Sequence, residues 1–257
     1  MYKLKDWINP DSLDWYQLSS HPRAIELLLA NPEKIDWLKF SQNPAATEVL
    51  EKHKDQIYWS YITENPGAVG ILERNLDKLV ACSNYISSNP AALHLMKPEW
   101  VRWDQLSSNP AAIPLLEANP EKIKWSQLAL NPAAIHLLKK NPDKIHWTNL
   151  SSNPSAIHLL TENQDKIHWA ELSTNPAAIP LLEANPDKIC WPYLCKNPAA
   201  IHILKANPDR IFWTGISQNP EIFEYDYKRM TRPFTEELMA ILFHPSNIDK
   251  FEAWGFE

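Results

Sequence analysis

Asn-Pro recurs at intervals of ten or twelve residues over most of the chain, from Asn9-Pro10 to Asn219-Pro220. No long helix survives such punctuation, because proline lacks an amide hydrogen and biases the residue before it away from helical geometry. The stretches between the pairs nonetheless carry helical apolar spacing, as in "NPAAIHLLKKNPDKIHWTNLSSNP" at 131–154. The same dipeptide favours a fresh start, since asparagine is a strong N-cap and proline suits the first helical position. A succession of very short helices, each stopped and restarted by Asn-Pro, is therefore expected.

The punctuation belongs to a longer period. Taking the tryptophan of "KIxW" and its variants as a marker, Trp15, Trp37, Trp59, Trp103, Trp125, Trp147, Trp169, Trp191 and Trp213 follow in steps of 22 residues with one gap. The gap falls in "NLDKLVACSNYISSNP", where two residues are inserted and Ser83 takes the tryptophan's place; the next unit is two residues short and restores the phase. Fixed-period self-similarity of this kind marks a solenoid or array, and the absence of period-2 strand patterns excludes a propeller or a leucine-rich horseshoe. The expected fold is all-α: an α-solenoid of about ten 22-residue units over 15–220, each a pair of short helices opened by Asn-Pro. Residues 1–14 supply an N-terminal cap and half unit, with "MYKLKDWI" as a short capping helix. Residues 221–257 supply C-terminal capping helices.

Within a unit, Ala134, Ile135, Leu137 and Leu138 form the apolar face of the first helix, and Ile145, Trp147 and Leu150 that of the second. Both helices are expected to begin alike, with asparagine as the cap. The third residue of the second half is acidic in every copy, Asp143 and Asp165 among them, which a helix dipole favours whatever else the residue does. The following column is mostly basic, including Lys34, Lys144 and Arg210, and is expected to neutralise that acidic row. Pro114 and Pro180 lie four residues after a helix-opening proline, which predicts helices that bend or begin late.

A net charge of −6 disfavours a partner held mainly through phosphates, which calls for a basic stripe. Cys82, Cys190 and Cys195 make neither a disulfide framework nor a metal-ligand spacing, consistent with a reducing, intracellular setting. The chain opens without a secretory leader, and no run of about 18 apolar residues offers a membrane span.

Candidate chemistry is sparse. One column of the first helix reads Glu26, Glu48, His94, His136, His158, His202 and Glu224; a second, in the other half, runs Asp14, Asp36, Tyr58, Val80, Arg102, Lys124, His146, His168, Cys190 and Phe212. His146, His168 and Cys190 are possible metal ligands by type, but successive units stand on the order of 10 Å apart, so ligands in a row do not surround an ion. Cys190 and Cys195 lack an orienting third group for nucleophilic catalysis. No metal, cofactor or catalytic residue is assigned. The marker tryptophans keep phase with the apolar face and are expected in the core rather than as base-stacking platforms. Glu26, Glu48, His94, His136, His158, His202, His146 and His168 are the candidate partner-binding residues, on columns free to vary.

The alternation of "NPAAIHLL" with "NPDKIxWxxLSS", and the tail "RPFTEELMAILFHPSNIDKFEAWGF", resemble short helical repeats in uncharacterised proteins of giant nucleocytoplasmic DNA viruses. The resemblance spans nearly the whole chain and implies helical repeats engaged in protein interaction. The expected function is a non-enzymatic, monomeric scaffold that binds another protein in the cytoplasm of a host cell. A structural role in a virus particle or factory is the alternative, and an RNA-binding repeat a further one.

Overall fold

The first half of a unit folds as its cap demands. In the computed structural model, which describes residues 1–231 and Glu236, Asn131 is extended and its side-chain oxygen accepts the amide of Ala133 at 3.0 Å. A 3-10 turn, Pro132–Ala134, follows and leads into the α-helix Ile135–Lys140. Starting the α segment three residues after the proline explains Pro114 and Pro180. Each falls at the second position of its helix, in Ile113–Ala118 and Ile179–Glu183, where no intrahelical bond is lost. Those helices begin late and need not bend.

The second half departs from the expectation of a single asparagine-capped helix. Asn141 has φ −133° and ψ 64° and makes no N-cap bond. Its side-chain nitrogen instead donates back to the Leu137 carbonyl at 2.9 Å, closing the helix that precedes it. After the turn Pro142–Lys144 the backbone runs extended through Ile145 and His146, and a second helix starts at Trp147. The cap of that helix is His146, whose Nδ1 accepts the amide of Asn149 at 3.4 Å. Sequence spacing hides this change of role because Asn-Pro opens both halves; the deciding difference is that a helix ends directly at Asn141. Asn9, which no helix precedes, caps its own turn in the ordinary way by accepting from Asp11.

Helical segments this short are unstable alone, since nucleation is costly and few bonds follow it. They are held by one continuous core in which Leu138, Leu150, Leu160, Leu172 and their equivalents are buried, with alanines such as Ala134 and Ala156 where the turns meet. The marker tryptophans are half-buried and packed against that core rather than enclosed by it.

The ends of the array meet. Residues Tyr2–Leu4 form a strand, β1, and Phe223–Tyr225 form a second, β2; they pair antiparallel with Tyr2 opposite Tyr225 and Leu4 opposite Phe223. This corrects the expected N-terminal capping helix and the expected connecting segment after Pro220. Each end contributes only half a unit, and a strand from each fills the place of a tenth first-half helix. The two helices expected within 232–257 lie outside the described residues. Ser217 accepts the Asp14 amide at 2.9 Å, the bond that every regular serine of its column makes to the unit that follows. Arg23 donates to the Pro220 carbonyl and to Glu221, each at 2.9 Å. The solenoid is thus a closed ring in which the first unit docks on the last in the register of any other neighbours.

His21 stands in this closure where the other units have asparagine. It is buried, accepts the Arg23 amide through Nδ1 and lies 5.0 Å from the Phe223 ring. Burial, with the Arg23 charge adding to it, pushes its pKa from 6.5 down to about 4. The unfolded chain therefore binds a proton in this window that the ring refuses. The stability this gives is complete above pH 6.5 and is lost as the pH falls toward 4, by at most about 3 kcal/mol. Urea midpoints at pH 7 and 4.5 should differ more for the wild type than for His21→Asn, which keeps the cap and does not titrate. Equal differences in the two proteins would remove His21 as the cause.

Candidate partner-binding surfaces

Two hydrogen-bonded ladders run around the ring and decide which residues are free to vary. In the first, Asn43, Asn65, Asn89, Asn109, Asn131, Asn153, Asn175, Asn197 and Asn219 are all buried. Asn175 is typical: its oxygen caps Ala177, and its Nδ2 donates to the carbonyls of Ser151 and Asn153 in the unit before, both at 3.0 Å. The second ladder is built from the serine that follows the buried leucine of the Trp helix. Ser151 donates to Trp147 O and accepts the amide of His168 from the next unit at 3.0 Å. Cys195 substitutes in this row, with Sγ accepting the Phe212 amide at 3.3 Å. Burial raises the Cys195 thiol pKa, so the residue is a buried acceptor and not a thiolate nucleophile.

Packing also separates an inner from an outer row. Successive Trp helices lie directly against one another, as do successive Asn-Pro-Ala turns, whereas the first-half helices stand further apart with grooves between them. In a closed ring the tighter row occupies the inner circumference, so the first-half helices face outward.

The structure places the predicted partner-binding residues in two different situations. Glu48, His94, His136, His158 and His202 are exposed on the outer helices. Three of these histidines pair with a glutamate of the preceding unit: His94 with Glu73 and His136 with Glu117 at 3.0 Å, His202 with Glu183 at 3.2 Å. Glu26 lies at the closure, 3.6 Å from the N-terminal ammonium of Met1. His146 and His168 are exposed but not free, since each caps a Trp helix. Asp14 and Asp36 cap in the same way, so this column has a local structural task that its varied composition concealed.

Sequence spacing also misassigned the basic column. Lys34, Lys122, Lys144, Lys166, Lys188 and Arg210 lie over the rings of Trp15, Trp103, Trp125, Trp147, Trp169 and Trp191, one unit back, at 4.3–5.2 Å from the centroids. These are cation–π contacts between units, each worth about 0.5–1 kcal/mol at such exposed sites. Among the described residues no cluster of histidine, cysteine and carboxylates is arranged to hold a metal ion, and no helix is long and apolar enough to cross a membrane.

Fold and surface together define a closed ring of two-helix repeats. Compared with known protein families, curated proteins and solved structures, the chain matches none.

Proposed function

We propose that this ring is a non-enzymatic scaffold that binds another protein through its outward-facing helices. The observation that supports it is the division of labour between columns. Residues that build the ladders repeat from unit to unit, while one position of the outer helix runs through Glu48, Gly70, His94, Pro114, His136, His158, Pro180 and His202, all exposed except the half-buried Gly70. A rigid frame carrying a varied outer row suits recognition of an extended protein surface. The resemblance to giant-virus repeat proteins extends this to a host protein in the cytoplasm.

The test is co-purification from host lysate by the full chain and by a variant carrying His136→Ser, His158→Ser and His202→Ser, which leaves both ladders and the core untouched. Proteins held by the wild type and lost by the equally folded variant support the reading. An identical set of bound proteins, or none above background, overturns it.

A further inference from the structure

Among the described residues three marker tryptophans, Trp37, Trp59 and Trp213, carry no lysine or arginine over the ring. At Trp37 the column itself has Gln56, whereas at Trp59 the lysine is present but displaced, next to exposed apolar side chains. In the unit that carries the two-residue insertion, Asn75 is followed by Leu76, and an α-helix, Leu76–Cys82, runs where other units have the turn and extended pair. Lys78, the residue equivalent to Lys144, is carried within this helix and lies 3.9 Å from Asp77 rather than over the preceding tryptophan.

The groove floored by Trp59 is consequently the counterpart of the one floored by Trp125, with its cation withdrawn. Glu51, Ile57, Trp59, Ile71, Arg74 and Asn75 line it together with Lys54; in the second groove the matching positions are Glu117, Ile123, Trp125, Leu137, Lys140 and Asn141, with Pro120 where the first has Lys54. The difference at the ring is Lys144, which lines the second groove and sits 4.7 Å from the Trp125 centroid. No such cation lies over Trp59 among the described residues. The groove has a volume of about 390 Å³, and Arg74 is paired with Glu51 at its mouth. On the adjoining helix Leu76 and Val80, four residues apart and hence on one face, are 52% and 57% exposed, with Tyr58 at 49% in the neighbouring unit.

We propose that the Trp59 groove is a docking site for a lysine or arginine side chain of a partner protein, whose flanking apolar residues cover Leu76 and Val80. The chain itself shows what fits. In six equivalent positions its own lysine or arginine occupies the ring face, in one of them between a glutamate and a second cation placed as Glu51 and Arg74 are here. A tryptophan ring with no cation over it attracts one through its quadrupole, and apolar neighbours desolvate the contact. This rests on the partner-binding reading and names a site within it, but it can be tested with no partner in hand.

The probe is n-butylammonium, the lysine side chain in isolation, titrated into the full ring while the indole N–H resonances are followed by NMR. Sodium chloride serves as the ionic control and n-butanol as the neutral isostere. The Trp59 indole should shift several-fold more than that of Trp125, and Lys144→Ala should raise the Trp125 response to match. Equal responses of Trp59 and Trp125 in the wild type, or an equal response of Trp59 to n-butanol, overturn the proposal while leaving the scaffold reading to its own co-purification test.

Discussion

Asn175→Ala should destabilise the ring by about 3 kcal/mol, while Asn185→Ala, at the next Asn-Pro pair along the chain, should cost well under 1. The Asn175 side chain is wholly buried, caps the amide of Ala177 and donates to two carbonyls of the preceding unit. Losing the cap costs about 1 kcal/mol. Each lost cross-unit bond leaves a buried carbonyl with fewer donors and costs about 1 more. Asn185 is half-buried and makes one bond, to the Leu181 carbonyl of its own helix, near a turn that water reaches. Urea denaturation of the two variants separates them. Similar losses would mean that the asparagine ladder does not hold neighbouring units together.

Replacing Tyr2 and Tyr225 by cysteine should give an intramolecular disulfide that strengthens the protein by up to about 5 kcal/mol, the loop-closure limit for so long a loop. The two residues face each other across the β1–β2 pair, their rings stacked at 4.8 Å. Neighbouring positions carry the backbone bonds, from Lys5 to Ile222 and from Asp226 to Met1, so this pair occupies the non-hydrogen-bonded site where side chains come closest. Cys82, Cys190 and Cys195 would first be changed to serine, which at 195 restores the residue its column carries at Ser173 and Ser217. In an open stack the two ends would stand apart by about ten helix diameters, on the order of 90 Å. Mass spectrometry of the oxidised, unreduced chain decides between ring and open stack: cross-linked dimers without the internal bridge would exclude closure.

Much of the architecture was legible from period and punctuation. The 22-residue step, the two short helices per unit and the late start of the helices holding Pro114 and Pro180 all follow from local rules about proline and asparagine. The candidate surface was legible only in part. The column of His136 and His202 does face outward, but His146 and His168 cap helices. Their role depends on the extended pair that Ile145 begins, and apolar periodicity does not register such a break.

What the sequence determined by itself is the unit, because capping, proline geometry and apolar spacing act within a few residues of one another. What tertiary structure alone decided is how units meet. The two asparagines of each unit sit in the same dipeptide, yet one bonds across to its neighbour and the other back to its own helix, according to whether a buried interface or a helix end adjoins it. Closure is likewise a property of the whole ring. The turn between successive units is set by the unequal spacing of the inner and outer rows, and only its sum over ten units brings Asp14 to Ser217 and β1 to β2. No local stretch of sequence contains that sum.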